Sequence, residues 1–171
     1  MSPFKYCPIC GADQFAPRGL NLLVCAKCDY YYHINPVVAV AAFLPDPTGR
    51  ILLVRRASEP AKGKLGAPGG FVDIGETGET ALRREIKEEV NLELASLEYL
   101  CSYPNEYPYR GRTIHVLDLF YVGKVASWDN AAALSEVDSL VRIDPRMINP
   151  AELAFGSLVK AVEDYVREND D

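Results

Sequence analysis

The sequence predicts an α/β fold in which a mixed β-sheet lies between helices, preceded by a small cysteine-rich ribbon. Four of the five cysteines fall in the first 28 residues, as two C-x-x-C pairs. After them, apolar and β-branched runs alternate with two segments of helical periodicity. With 49% hydrophobic and 25% charged residues in a chain of 171, the composition is that of a globular protein.

Two strands are predicted at the start of the larger part of the chain. Residues 37–44 form a continuous apolar run with the length and branching of a buried strand, and residues 51–56 form a second one. Turn-forming residues at 45–49 separate them, so the sequence predicts a β-hairpin. The polar, glycine-rich residues 57–78 predict a loop.

The remaining elements follow in the order helix, strands and helix. Residues 79–90 have helical character, residues 97–101 predict a short strand, and residues 113–125 predict a longer one. An irregular stretch leads to Pro150, a residue type that favours the start of a helix. Apolar residues then recur at helical spacing and predict a closing helix: Leu153, Leu158, Val159, Val162 and Val166.

The two cysteine pairs predict a metal site. Cys7 pairs with Cys10 and Cys25 with Cys28, and an intervening hairpin would bring the pairs together. Four thiolates in a tetrahedron suit Zn²⁺, in a structural role because no coordination position stays open for a substrate. A redox pair or a disulfide staple is the alternative, and a cytosolic setting disfavours the staple. We expect residues 1–34 to form this zinc ribbon.

Charge and hydropathy restrict the partners and the location. The net charge of −6 and the few basic residues near the cysteines disfavour nucleic acid, so we expect the ribbon to serve in packing or in a homodimer. A small nucleotide anion needs only local positive charge. No apolar run approaches the ~20 residues of a membrane span, and the N-terminal residues lack the features of a signal peptide. We therefore expect a cytoplasmic protein with no membrane partner.

Three glutamates of the predicted helix would share one face. Glu85, Glu88 and Glu89 stand at i, i+3 and i+4, where like charges destabilise an exposed helix by roughly a few tenths of a kcal/mol per pair. This crowding is favourable if the carboxylates bind Mg²⁺ or Mn²⁺. A solvated acidic face is the alternative. Glu76, in the loop before the helix, is placed to pair with Arg84.

The whole pattern resembles the Nudix box, G-x5-E-x7-R-E-U-x-E-E-x-G-U, in which U is a bulky apolar residue. The matching residues are Gly70, Glu76, Arg84, Glu85, Ile86, Glu88, Glu89 and Leu92. Asn91 stands where the family has glycine. That glycine usually has a positive φ after the helix, and asparagine is the residue that best replaces it there.

The resemblance to Nudix hydrolases covers residues 37–169 and makes residues 35–171 the expected catalytic domain. It implies an α/β/α sandwich that hydrolyses the pyrophosphate of a nucleoside diphosphate linked to another group, X. The implied catalytic residues are Glu85, Glu88, Glu89, Arg84 and Glu76. The three glutamates of the helix, with the backbone carbonyl of Gly70, would hold the catalytic Mg²⁺ or Mn²⁺.

Further charged residues are candidates for the site. The general base varies in position within the family, and Glu136 is one candidate, with an ordinary loop acid as the alternative. Arg55 and Arg56 end the second strand, and their guanidinium groups suit a phosphate. Because neighbouring side chains of a strand point to opposite faces, at most one should reach the site, and we favour Arg56. A solvated strand end is the alternative.

A zinc ribbon joined to a Nudix box resembles the NADH pyrophosphatases, whose motif S-Q-P-W-x-F-P-x-S follows the box. Residues 102–111 keep the serine, the proline and the aromatic character, but not the glutamine and tryptophan. Tyr103, Tyr107 and Tyr109 are therefore candidates to stack on a base or nicotinamide, and a loop that packs on a neighbouring subunit is the alternative. Plant FAD pyrophosphatases have a similar layout. X is thus open among NADH, ADP-ribose, FAD and other ADP-linked compounds.

Two other functions are alternatives to an ADP-linked metabolite. One is hydrolysis of nucleotide-capped RNA or of damaged nucleoside triphosphates, and the acidic chain disfavours RNA. The other is a non-catalytic Nudix module that senses a nucleotide, which the loss of box glutamates would indicate. Every box glutamate is present, so we expect an enzyme.

Overall fold

The computed structural model describes residues 4–169, and the chain divides into two compact units, Met1–Pro36 and Val37–Asp171. The first unit is an antiparallel sheet in the order β1-β2-β3, formed by β1 (Phe15–Pro17), β2 (Leu22–Cys25) and β3 (Tyr31–His33). Its core cluster of buried residues consists of Cys7, Phe15, Leu23 and Cys25. A core this small stabilises a fold weakly without a metal or a covalent crosslink.

The second unit combines strands with two helices. Over the described residues its elements are β4 (Val37–Phe43), β5 (Ile51–Arg56), β6 (Leu65–Gly66), β7 (Gly69–Phe71), α1 (Gly78–Val90), β8 (Leu94–Tyr109), β9 (Arg112–Val125), β10 (Val137–Ile143) and α2 (Gly156–Glu168). One sheet has the order β7-β4-β9-β8 and another has the order β10-β5-β6. β4 and β9 are parallel and their neighbours antiparallel, so the predicted mixed sheet is confirmed.

The ends of α1 are fixed by local hydrogen bonds. The Thr77 hydroxyl accepts a hydrogen bond from the Thr80 amide at 3.2 Å and caps the N-terminus. At the C-terminus Asn91 has a left-handed backbone with φ 55°, the conformation predicted for the position where the Nudix box has glycine. The buried face of the helix consists of Ala81, Leu82, Ile86 and Val90. The box glutamates therefore lie on an adjoining face.

Two apolar clusters place the helices on opposite faces of the larger sheet. Val40 and Ala42 of β4 pack in the cluster that contains the buried face of α1, whereas Phe43 packs with Leu158 and Val162 of α2. Because successive side chains of a strand point to opposite faces, the sheet lies between the helices. This arrangement confirms the expected α/β/α sandwich. Within residues 4–169, no helix is long and apolar enough to cross a membrane.

The predicted hairpin of residues 37–44 and 51–56 is wrong. The two strands meet at the turn, where the Leu52 amide donates to the Leu44 carbonyl at 3.1 Å, and they then enter different sheets. β4 pairs with β7 and β9, and β5 pairs with β6 and β10. Apart from β6, which follows β5 closely, these partners lie far away in the sequence, and local turn chemistry does not reveal them.

Several other elements also differ from the prediction. β8 extends through the tyrosine- and proline-rich segment, and β6 and β7 lie within the predicted loop. β8 is an edge strand, where prolines are tolerated because one side of the strand needs no amide donors. β10 occupies part of the predicted irregular stretch. Pro150 begins a 3₁₀ turn, Pro150–Glu152, and α2 begins only at Gly156.

Candidate active site

A cleft of about 380 Å³ lies in the second unit and contains most residues predicted for the site. The predicted residues that line it are Arg56, Gly70, Arg84, Glu85, Glu88, Glu89, Tyr107 and Glu136. Other residues that line the same cleft were not predicted from the sequence, among them Phe71, Asn105, Asp118, Phe155 and Ser157. The cleft thus combines carboxylates, guanidinium groups and aromatic rings.

Two glycines of β7 allow the backbone to approach its neighbours closely. A Cβ atom on Gly69, which has φ +149°, would lie 2.1 Å from the carbonyl oxygen of Val40. A Cβ atom on Gly70 would lie 2.4 Å from Oε1 of Glu85. A side chain at position 70 would therefore displace the Glu85 carboxylate from its place beside the backbone.

The three glutamates of α1 differ in burial. Burial raises the pKa of Glu89 to about 7, although its Oε2 accepts a hydrogen bond from the Gly69 amide at 2.9 Å. Burial also raises the pKa of Glu85, while the Arg84 guanidinium opposes that rise. Glu88 is more exposed, with 55% of its side chain accessible. Glu85 and Glu89 lose solvation and repel each other, and a bound cation would stabilise both.

Arg84 connects the loop to α1. Its Nε and Nη2 atoms each donate to one carboxylate oxygen of Glu76 at 2.9 Å, so the expected pair is present. Nη2 also donates to the Phe71 carbonyl at 3.1 Å. Nη1 donates to Glu85 at 2.7 Å and to Glu88 at 3.4 Å. Arg84 therefore positions two of the three glutamates relative to the loop.

Glu76 makes a pH-dependent contribution to stability. Hydrogen bonds from Arg84 and from the Asp73 amide lower the pKa of Glu76 from 4.5 to about 2. The stabilisation is therefore present above pH 4.5 and is lost as the pH falls towards 2. We expect Glu76→Gln to lower the melting temperature at pH 7 by roughly a few degrees, with the difference shrinking below pH 4.5. Glu98→Gln is the control, because Glu98 is an exposed acid of β8. Equal melting temperatures for wild type and Glu76→Gln at pH 7 would contradict the assignment of Glu76 as the partner of Arg84.

The donor set of the cleft fits a hard cation. Among groups of three or more His, Cys, Asp or Glu side chains in the part of the chain that the structure describes, only the four cysteines have ligand atoms all within 4.8 Å of one another. The three glutamates of α1 are less tightly gathered, and two of them, Glu85 and Glu88, accept hydrogen bonds from Arg84. The groups available are nevertheless carboxylate oxygens, with the Glu85 carboxylate beside the Gly70 backbone, and Mg²⁺ and Mn²⁺ prefer such ligands.

Arg56 and Glu136 reach the cleft from β5 and from the turn before β10. The Arg56 guanidinium lies 5.4 Å from the ring centre of Phe155, and its Nε donates to a loop carbonyl at 2.8 Å. Arg55 points elsewhere, donates to another loop carbonyl at 2.6 Å and does not line the cleft. Glu136 has a left-handed backbone with φ 59°, a conformation that costs roughly 1 kcal/mol or more for a residue with a side chain.

The three candidate tyrosines of β8 have different surroundings. Tyr107 lines the cleft, with its ring centre 5.7 Å from that of Phe155. Tyr103 does not line the cleft, because its hydroxyl donates to Asp164 of α2 at 2.5 Å. Tyr109 lies at the end of β8 and is 48% exposed. The structure therefore brings one of the three to the candidate site.

Asp118 is a cleft residue whose position in the sequence already carries a signal. It lies in the middle of the apolar strand β9, is only 9% exposed and accepts a hydrogen bond from the Ser157 hydroxyl at 2.5 Å. An acidic residue within an otherwise apolar, β-branched strand is costly to bury, so it indicates a specific partner. That partner comes from α2 and is distant in sequence.

The four cysteines of the first unit converge on one point. Their sulfur atoms all lie within 4.8 Å of one another, and all four are free thiols. Sγ atoms of Cys7 and Cys28 are 3.8 Å apart, and those of Cys10 and Cys25 are 3.6 Å apart. Sulfurs arranged tetrahedrally at the usual zinc–sulfur distance of ~2.3 Å would be about 3.8 Å apart. The cluster is therefore consistent with a zinc ribbon.

Comparisons with known proteins agree with this geometry. Residues 35–165 match the NUDIX domain family. Over 142 residues the chain is 35% identical to the ADP-ribose pyrophosphatase of Methanocaldococcus jannaschii, covering 81% of this chain and 78% of that protein. Over 106 residues it is 32% identical to the NAD-capped RNA hydrolase NudC of Shigella flexneri, covering 61% of this chain but only 40% of that protein.

A solved structure supports the same fold. The crystal structure of a NUDIX hydrolase from Nitrosomonas europaea aligns with a TM-score of 0.72 at 26% identity, covering 98% of this chain and 93% of that one. The family match and this likeness agree with the cleft, which five of the box residues line: Gly70, Arg84, Glu85, Glu88 and Glu89. Family membership implies a nucleotide substrate and divalent metals. The chain therefore belongs to the Nudix family, as a Nudix pyrophosphohydrolase.

Proposed function

We propose that this enzyme hydrolyses the pyrophosphate of an ADP-linked metabolite and that ADP-ribose is its preferred substrate. The observation that carries the proposal is the cleft in which Glu85, Glu88 and Glu89 lie together with two arginines and aromatic rings. The relative from Methanocaldococcus jannaschii, an ADP-ribose pyrophosphatase that is aligned over most of both chains, supports ADP-ribose over NADH and FAD. Residues 102–111 keep only part of the NADH pyrophosphatase motif, and Tyr107 is the only tyrosine of this segment that lines the cleft.

We propose that Glu85, Glu88, Glu89 and the backbone carbonyl of Gly70 hold the catalytic Mg²⁺ or Mn²⁺. Such ions would supply positive charge against the pyrophosphate and would activate a water for attack. The Gly69 amide orients the Glu89 carboxylate through its hydrogen bond. Arg84 contributes by orienting Glu85 and Glu88, and Glu76 by fixing Arg84.

The other cleft residues have roles that follow from their charge and position. Glu136 is the proposed general base, since it lines the same cleft as the α1 glutamates on a backbone held by a hydrogen bond from the Ala57 amide at 2.9 Å. Arg56 is the proposed phosphate contact, because its guanidinium faces the cleft while that of Arg55 does not. The Tyr107 ring is the proposed stacking surface. Tyr103 and Tyr109 have no role in this proposal.

We further propose that residues 1–34 bind one structural Zn²⁺ through Cys7, Cys10, Cys25 and Cys28, and that residues 35–171 form the catalytic domain. The free thiols and their spacing support the metal. The exposed aromatic residues of the ribbon, such as Tyr6 and Tyr31, suit packing against a second copy of the chain.

Hydrolysis of NAD-capped RNA is the second candidate function. The observation in its favour is the 32% identity to an NAD-capped RNA hydrolase. The net charge of −6 opposes it, because the phosphates of an RNA chain need clustered basic residues.

A substrate panel tests the proposal. Purified protein with Mg²⁺ or Mn²⁺ would be assayed on ADP-ribose, NADH, FAD, diadenosine polyphosphates, nucleoside triphosphates and NAD-capped RNA. We expect kcat/KM for ADP-ribose to exceed the other values by roughly tenfold or more, with AMP and ribose 5-phosphate as products. A highest value for capped RNA would favour the second candidate. Tight nucleotide binding without cleavage of any substrate would identify a sensor instead of an enzyme.

A further inference from the structure

Asp118 is a buried carboxylate in the wall of the cleft. It is 9% exposed, and the Ser157 hydroxyl donates to its Oδ2 at 2.5 Å. Burial raises the pKa of Asp118, whereas hydrogen bonds from Ser157 and from the Asn105 side chain oppose that rise. Both partners also line the cleft. A carboxylate can accept about four hydrogen bonds, so these two leave acceptor positions for another donor.

The surroundings of Asp118 suit a flat ring. Ala39 of β4 is the register partner of both Phe71 of β7 and Asp118 of β9. The backbones of Phe71 and Asp118 are therefore about 10 Å apart, and the Ala39 methyl group lies between these two residues. Tyr107 and Phe155 add two aromatic rings to the same cleft, with their centres 5.7 Å apart. The space beside Asp118 is thus lined by a methyl group and aromatic rings, and the Asp118 carboxylate provides a strong hydrogen-bond acceptor. Binding sites for planar ligands typically combine these features.

A structural role alone does not account for Asp118. The hydrogen bond from Ser157 joins β9 to the start of α2, but two apolar residues could pack there without the cost of burying a carboxylate. The cost of burying the carboxylate is accounted for if the carboxylate accepts a hydrogen bond from a bound ligand. A site built to bind an N–H group discriminates strongly against analogues that lack it, because the buried acceptor is then left unpaired.

We propose that Asp118, positioned by Ser157 and Asn105, accepts a hydrogen bond from the exocyclic amino group of the substrate's nucleobase. The enzyme would then select adenine over hypoxanthine, in which a carbonyl oxygen replaces the amino group and would face the carboxylate. This inference rests on the proposed function, since it assigns the base-recognition part of the same substrate site. The aromatic walls favour a base over the ribose as the group at Asp118.

Kinetics on paired substrates test this assignment. Wild-type enzyme and Asp118→Asn would be assayed on ADP-ribose and on inosine diphosphoribose, with kcat/KM as the readout. We expect wild type to prefer ADP-ribose by roughly 10- to 100-fold. Asp118→Asn, whose amide can donate to the hypoxanthine carbonyl, should lose or reverse that preference. A purely structural role would lower both values together and leave their ratio unchanged.

Matched variants keep the test decisive. Asp164→Asn is the control, because Asp164 also accepts a hydrogen bond from a hydroxyl group, that of Tyr103, but does not line the cleft. Its substrate ratio should equal that of wild type. If Asp118→Asn does not fold, Ser157→Ala should still reduce the preference for ADP-ribose severalfold.

The outcomes separate this inference from the proposed function. If wild type and Asp118→Asn cleaved both substrates with the same ratio of kcat/KM for ADP-ribose to kcat/KM for inosine diphosphoribose, the inference would be overturned. The proposed function would still stand. 2′-Deoxy-ADP-ribose tests the ribose as the alternative group at Asp118. If Asp118→Asn lowered kcat/KM for ADP-ribose but not for 2′-deoxy-ADP-ribose, the base assignment would also be overturned. If wild type cleaves neither compound, the proposed function itself fails.

Discussion

Glu89→Gln is expected to reduce kcat on ADP-ribose by roughly 10²- to 10³-fold or more, because the variant lacks one charged ligand of the proposed metal site. The same substitution should not destabilise the protein when no Mg²⁺ or Mn²⁺ is bound. Burial raises the pKa of Glu89 to about 7, so the folded state is disfavoured as the pH rises from 4.5 through 7 and the carboxylate ionises. At pH 8 without added Mg²⁺ or Mn²⁺, and with the zinc of the first unit left in place, Glu89→Gln should therefore melt at the same temperature as wild type or higher.

The combination of the two effects is the diagnostic result for Glu89. Glu93→Gln is the matched control, since Glu93 is an exposed acid just beyond α1 that contacts Lys87 at 3.4 Å. It should change neither kcat nor the dependence of the rate on Mg²⁺ concentration. If Glu89→Gln retained wild-type kcat at saturating Mg²⁺, the assignment of Glu89 as a metal ligand would be wrong. If Glu89→Gln lost activity because it unfolded, the role of Glu89 would be structural.

Cys25→Ser is expected to abolish metal binding by the first unit and to unfold it. Cys25 is fully buried, and the core around it contains few other apolar side chains. Structural zinc contributes about 10–16 kcal/mol of binding free energy in small zinc-binding domains, far more than such a core supplies. Wild-type protein should contain about one zinc per chain, and the variant close to none. Hydrogen exchange should show β1, β2 and β3 losing their protection together.

Cys101→Ser is the matched control for the ribbon. Cys101 is the fifth free cysteine, lies in β8 of the second unit and is not a member of the four-cysteine cluster. Its substitution should leave the zinc content at about one per chain. A wild-type protein that is folded without zinc, or a Cys25→Ser variant that keeps its metal, would contradict the proposed site.

Features set by short sequence spacings were predictable. The i, i+3 and i+4 spacing of the box glutamates, together with the apolar stripe beside them, predicted a helix with adjoining acidic and buried faces. Asn91 was expected to have a positive φ, and its φ is 55°. The C-x-x-C spacing predicted that four sulfurs would meet, and they lie within 4.8 Å. In each case the geometry depends mainly on neighbouring residues.

Features set by long-range pairing were not predictable from local patterns. Residues 37–44 and 51–56 have the turn chemistry of a hairpin, yet partners from distant parts of the chain draw the two strands into different sheets. Residues 102–109 contain two prolines, yet they form a strand because they lie at a sheet edge beside β9. Strand pairing is decided by burial across the whole sheet, which no short segment specifies.

The sequence by itself determined the family, the acidic helix and the cysteine cluster, because these depend on residue types at fixed short separations. Only the tertiary structure decided which neighbours share the cleft. Tyr107 reaches it while Tyr103 bonds to α2, and Arg56 reaches it while Arg55 does not. Asp118 meets Ser157 only after β9 and α2 pack together. A substrate site is assembled from elements distant in sequence, so its composition follows from packing.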